Sequence, residues 1–184
     1  MDVDFKFPIA ESGTCTRSGT VTYLVMVTSS AERFQERQSI RDTWMSDFKT
    51  TLDEKSSRKI RIRFVVGRSL NDTMSQLLSQ ESQKFGDVIQ ADIAPATANS
   101  ATLTTLAALA WVSRYCPDIK QMVKCDDDVF INPSKLIKVM EDKRYGAGPT
   151  SVVGRIVSRM NPHNTTGNTD RFFIGPNLFF LTRF

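Results

Sequence analysis

Val21-Thr22-Tyr23-Leu24-Val25-Met26-Val27-Thr28 is the stretch on which the fold turns. It is β-branched and nearly continuously apolar, the pattern of a strand buried on both faces in a parallel sheet. Working outward, Ser29 or Ser30 can cap a helix with Glu32 in its first turn, running through Arg33 to about Trp44. Ile60 to Val66 reads as a second strand, stopped by Gly67. Asn71 to Phe85 has helical spacing at Met74, Leu77 and Leu78, and Asp87-Val88-Ile89-Gln90 is a short third strand. Asn99 to Tyr115 is an alanine-rich helix ended by Pro117, Ile119 to Cys125 a fourth strand, and Ser134 to Glu141 a helix after Pro133. Val152 to Val157 and Phe172 to Leu181 are strand-like. Strands and helices in alternation predict an α/β domain with a mostly parallel sheet. Residues 1–18 are expected to be a flexible leader, with one domain over 19–184.

Composition narrows the function by exclusion. In 184 residues, 40% hydrophobic and 24% charged positions exclude disorder and low complexity for the whole chain. The net charge of +4 is scattered apart from Arg58-Lys59-Ile60-Arg61-Ile62-Arg63. That cluster reads as charges alternating along the edge of a strand, so no nucleic-acid partner is expected. One histidine, His163 in a polar run, excludes an HExxH helix and speaks against a Ser-His-Asp triad. Cys15, Cys116 and Cys125 are an odd set that leaves at least one thiol unpaired within the chain. Cys116 and Cys125 flank a predicted strand and can pair only if the chain folds back. The start has no apolar core of a secretory signal, and no apolar run is long enough to span a bilayer. Asn71-Asp72-Thr73 and Asn164-Thr165-Thr166 are glycosylation sequons, meaningful only in a secreted protein.

Ligands of open parallel sheets bind beyond the carboxyl ends of the strands. There the chain places Asp126-Asp127-Asp128, between the apolar runs Met122 to Cys125 and Val129-Phe130-Ile131. Three carboxylates at one strand end repel each other. Their hard oxygens suit Mg²⁺ or Mn²⁺, ions that also hold substrate phosphates.

Lys124 to Asn132, with the acids at its centre, resembles the DxD segment of the β1,3-galactosyltransferase family (glycosyltransferase family 31). Further segments match in the family's order. Arg37 to Trp44 is similar to its R-x-x-I-R-x-T-W signature, and Phe64-Val65-Val66-Gly67 to its second strand. Glu81-Ser82 with Phe85-Gly86-Asp87-Val88 resembles its E-S-x-x-x-[YF]-G-D-[IV] segment, and Leu103 to Pro117 the helix leading into the DxD strand.

The resemblance implies a GT-A-like, Rossmann-type sheet flanked by helices, incomplete at the C-terminus. It implies a hexosyltransferase that moves galactose or N-acetylhexosamine from a UDP-sugar to a glycan or glycoprotein hydroxyl, with β1,3 linkage and inversion. Asp128 and Asp126 would bind Mn²⁺ or Mg²⁺, while Asp126, Asp127 and Arg41 contact the nucleotide. Arg37 and Arg41, four apart on one helix face, either contact the diphosphate or anchor the sheet through acids such as Asp42. Trp44 and Trp111 are expected in the core. The implied location is the lumenal side of the Golgi membrane, and a partner chain could cover an edge left open where the sequence stops.

Departures from the family pattern bear on activity. Asp92 to Thr105 keeps Asn99 but replaces the family's second Asp, Tyr and Lys. The E-D-V element that supplies the family's catalytic carboxylate is expected beyond Phe184. The alternatives are a catalytically inactive nucleotide-sugar-binding fragment and a Mg²⁺-dependent phosphotransfer domain. The latter leaves the Arg37 to Trp44 block unexplained.

Overall fold

The computed structural model describes residues 4–16, 21–51, 60–94, 100–142, 151–153 and 179–182. Four parallel strands form the body of the sheet: β1 (Tyr23–Ser29), β2 (Ile60–Val66), β3 (Val88–Gln90) and β4 (Gln121–Asp126). Two short strands, β5 (Ser151–Val153) and β6 (Phe179–Thr182), extend it antiparallel, with β6 against β4, in the order β3-β2-β1-β4-β6-β5. The α/β class and mostly parallel sheet expected from the sequence are the observed ones.

Period-two alternation explains the unbroken apolar run of β1. Val25 and Val27 point to one face and Leu24 and Met26 to the other, and all four are fully buried. The first face packs on α1 (Phe34–Asp42), α2 (Trp44–Thr51) and α5 (Pro133–Glu141) through Ile40, Trp44, Phe48, Leu136 and Met140. On that side α3 (Asp72–Phe85) sets Leu78 against Val66 and Val88. The opposite face packs on α4 (Ser100–Tyr115) through Ala108, Trp111 and Val112. Each such fully buried side chain contributes about 1.5–3 kcal/mol relative to exposure. Trp44 and Trp111 are core residues, as expected.

Two expectations differ from the structure. Residues 4–16, taken as part of a flexible leader, are integrated into the domain. Ile9 bridges Gln90 on the edge strand β3, Phe5 is buried against Ala91, Ile93 and Ala107, and Trp111 Nε1 donates to the Ala10 carbonyl at 2.5 Å. A disulfide joins Cys15 to Cys116 at the end of α4. The segment therefore covers a sheet edge that would otherwise be open. Its few apolar residues have no period of their own, because their partners lie far along the chain.

The single helix expected up to Trp44 is two helices, broken at Thr43, and it is not capped by Ser29 or Ser30. Ser29 closes β1 and its hydroxyl accepts from Arg37 Nη1, while Arg33 stands at the N-cap with no side-chain cap. Of the basic cluster, Arg61 and Arg63 lie in the half of β2 that pairs with β1 alone, since the register with β3 begins at Phe64, and Arg63 Nε donates to Thr14 Oγ1 in the N-terminal segment at 2.9 Å. No helix among the described residues is long and apolar enough to cross a membrane. His163, Asn164, and the strand-like stretches apart from 151–153 and 179–182, lie outside the described residues.

Candidate functional site

The strand order reverses between β1 and β4: the chain leaves β1 toward β2 and β3 on one side, and β4 returns on the other. Such a switch point opens a crevice beyond the carboxyl ends of the two strands. Thr28 is in register with Asp126, so both line it. The Thr28 hydroxyl donates to Asp126 Oδ1 at 2.5 Å, and Lys124, two residues earlier on the same strand face, donates Nζ to the same oxygen at 2.5 Å. Burial works to raise the Asp126 pKa, but the bonds from Lys124 and Thr28 outweigh it and hold the carboxyl below its ordinary range.

Asp127 turns the other way, toward the start of α1. It is only 7% exposed; Oδ1 lies 3.0 Å from Arg33 Nη1, and Oδ2 is buried without a hydrogen-bond partner among the described residues. Burial raises its pKa, against the Ser29 hydroxyl and Arg33, with Glu36 and Asp128 adding to the rise. Asp128 is exposed. The turn is closed by Val129 N–H donating to the Asp126 carbonyl at 3.3 Å. Val129 and Ile131 then enter the core, which leaves Asp128 and Phe130 facing solvent. Asn132 ends the segment as the N-cap of α5, accepting from Lys135 N–H at 2.9 Å, with Pro133 in the first turn.

Arg37 and Arg41 occupy a separate buried network. The Arg37 side chain is 0% exposed; Nε and Nη2 bind Glu81 at 2.9 and 2.7 Å, and Nη1 and Nη2 reach the Ser30 and Ala31 carbonyls at 2.5 and 3.1 Å. Arg41 donates to Glu81 at 2.7 Å and to both Asp87 oxygens at 2.7 and 2.8 Å, with its guanidinium 4.0 Å over the Phe85 ring. Burial would lower the Arg41 pKa, but Asp87 and Glu81 raise it. Burial would raise that of Glu81, but Arg37 and Arg41 lower it.

Of the two roles open to Arg41, diphosphate contact or anchoring, its Nε and Nη2 groups make the anchoring contacts, to Glu81 and Asp87. The anchoring acids are Glu81 and Asp87 rather than Asp42, which accepts from Gln38 instead. Gly86 makes this possible as the left-handed C-cap of α3 at φ 62°, turning the chain so that Asp87 faces Arg41.

Two arginines of the R-x-x-I-R block thus meet the acids of the E-S and G-D block beside a strand-end acid cluster. The galactosyltransferase family model matches residues 35–178, which contain all of these blocks. This chain belongs to the galactosyltransferase family. It is 34% identical to beta-1,3-galactosyltransferase 1 of Homo sapiens and of Mus musculus over 136 residues, which is 72% of this chain and 39% of each relative. It is 32% identical over 143 residues to UDP-GalNAc:beta-1,3-N-acetylgalactosaminyltransferase 1 of Mus musculus, covering 74% of this chain and 40% of that protein. The chain thus spans about two fifths of the length of these curated relatives.

In this galactosyltransferase-family chain Cys125 is the free thiol and is buried, which pushes its pKa up to about 12 and leaves it inert as a nucleophile. Cys116 pairs with Cys15, not with Cys125. For a divalent cation, the donor chemistry fits. Asp128 is exposed with no hydrogen bond or ion pair among the described residues, and Asp127 keeps an unsatisfied buried oxygen. Asp126 and Asp127 turn to different partners, and no three acidic, His or Cys side chains converge among the described residues. Arg33 was not singled out in the sequence. Its nearness to Asp127 follows from the switch-point topology, which no local pattern encodes.

Proposed function

We propose that this chain carries the donor-binding half of a hexosyltransferase that moves galactose or N-acetylhexosamine from a UDP-sugar to a hydroxyl of a glycan or glycoprotein. Linkage is β1,3 and the anomeric carbon inverts. The observation that carries this reading is the placement of Asp126, Asp127 and Asp128 at the β1–β4 switch point, within a chain of the galactosyltransferase family.

Asp128 and Asp126 would hold Mn²⁺ or Mg²⁺, whose chemistry there would be to neutralise charge on the departing diphosphate. In the transfer, the bond from the anomeric carbon to the phosphate oxygen breaks, and UDP leaves with the electron pair. The acceptor oxygen forms the new bond and yields its proton to a general base. Asp126 to Asp128 stay with the leaving group, so none of them is that base. Arg37 keeps the backbone after β1 in place through the Ser30 and Ala31 carbonyls.

The site of action is the lumenal side of the Golgi membrane. The Cys15–Cys116 disulfide suits such an oxidising compartment. Asn71 is exposed at the N-cap of α3 and uses Oδ1 for capping, which leaves its amide nitrogen open to a glycan.

Calorimetry with UDP, with and without Mn²⁺, tests the donor site. Affinity should depend on the metal and be lost in Asp128→Ala; equal affinity in all conditions refutes the proposal. Transfer from labelled UDP-galactose and UDP-N-acetylgalactosamine then identifies the sugar.

A further inference from the structure

Resting on the reading of Asp126 and Asp128 as cation ligands, we infer that the Lys124 ammonium is a built-in competitor for that cation, seated on Asp126 until a divalent ion takes its place. The two bonds to the Asp126 carboxylate both fall on Oδ1, from the Thr28 hydroxyl at 2.5 Å and from Lys124 Nζ at 2.5 Å, and no hydrogen bond reaches Oδ2 among the described residues. The two donors differ in kind. Thr28 is neutral and fixed in register with Asp126 on β1, whereas Lys124 brings a full charge on a flexible four-carbon stem. The Lys124 side chain is 14% exposed and that of Asp126 57%. The stem is thus covered by the fold while the carboxylate stays open to the crevice. Such an ammonium can leave Oδ1 by rotation about its own stem, with no change in the sheet.

Charge counting gives the ammonium its role. Asp126, Asp127 and Asp128 carry three negative charges, against Lys124 on Asp126 and Arg33 on Asp127. Asp127 Oδ2 is unpartnered in a residue only 7% exposed, so positive charge is still missing at this strand end. A divalent ion added to both side-chain cations would leave the cluster with an excess of one positive charge. Lys124 and the ion also repel each other at one carboxylate, and the ammonium is the partner able to move. Lys124 therefore relieves the repulsion among the acids when no ion is bound, and it weakens the affinity for the ion that replaces it.

The test measures Mn²⁺ binding without nucleotide, by calorimetry, to the unaltered protein, Lys124→Met and Lys124→Arg, with thermal melting of each. Lys124→Met should bind Mn²⁺ about ten- to a hundred-fold more tightly, and Lys124→Arg, which keeps the charge, should stay close to the unaltered protein. A second arm needs no variant: in the unaltered protein, Mn²⁺ should speed acetylation of Lys124 by a lysine-selective reagent, read by mass spectrometry, because the displaced amine is freed. If Lys124→Met does not melt cooperatively, this arm decides alone. Equal or weaker Mn²⁺ binding in folded Lys124→Met, the same tightening in Lys124→Arg, or Lys124 acetylation that Mn²⁺ leaves unchanged overturns the inference. Failure of all three proteins to bind Mn²⁺ instead overturns the cation reading, and this inference with it.

Discussion

Arg37, Glu81, Arg41 and Asp87 form a closed circuit, with both arginines buried against acids at 2.7–2.9 Å and against aromatic rings. Around Asp126, Asp127 and Asp128 the circuit is open: one acid is tied to Lys124, one keeps a buried orphan oxygen, and one faces solvent. Helix α1 touches both, through Arg37 and Arg41 in the first and Arg33 in the second. The contrast separates two reasons for charge in one family motif. In the closed circuit, every charge has a partner and removing one strands another in a dry site, so its residues are explained by folding. In the open cluster, unmet charge remains, and unmet charge is what a ligand can satisfy.

The largest effect should come from breaking the closed circuit. Arg37→Ala leaves Glu81 buried with half its partners gone and should lose about 3–5 kcal/mol in urea unfolding. A loss below about 1 kcal/mol would mean that the network is decorative and the comparison unfounded.

A control outside both clusters comes next. Cys15→Ser with Cys116→Ser opens a loop with a sequence separation of 101 residues. It should cost about 2–4 kcal/mol while leaving Mn²⁺-dependent UDP affinity intact. A parallel loss of affinity would show that the acid cluster depends on global stability rather than on its own geometry.

The pH dependence of Glu81→Gln sharpens the contrast further. The folded-state pKa of Glu81 is lowered from its ordinary 4.5. Its ionised form therefore stabilises the fold above that value, and the contribution is lost as pH falls through the lower folded value. At neutral pH, Glu81→Gln should be less stable by about 1–3 kcal/mol, and the difference should shrink in acid denaturation series run below pH 4.5. A gap independent of pH would point to packing rather than charge.

The smallest stability effect belongs to the open cluster. Asp128→Ala should shift unfolding by no more than about 0.5 kcal/mol, since the side chain is exposed. A larger destabilisation would make Asp128 a structural residue.

Legibility in the sequence followed the range of the interactions. Helix α3 could be read because its signals are local: Asn71 caps it by accepting from Thr73 and Met74 N–H, and Gly86 ends it. The acids could be found because they follow an apolar strand by one residue. Residues 4–16 could not be placed, since Phe5, Ile9 and Cys15 find partners about a hundred positions away or on a strand edge with no sequence mark. The partners of Arg41 could not be read for a related reason. Spacing puts it on the same helix face as Arg37, but spacing is silent on which acids meet that face.

By itself, then, the sequence determined the α/β class, the family and the strand that ends in three acids, because period, caps and ordered motifs are properties of neighbouring residues. Tertiary structure alone decided which charges are closed and which are open. That outcome depends on β1 and β4 lying side by side with α1 across their ends, so that Arg33 meets Asp127 while Arg37 and Arg41 turn down to Glu81 and Asp87. Chain order carries no distance between residues 33 and 127; only the crossover of the sheet does.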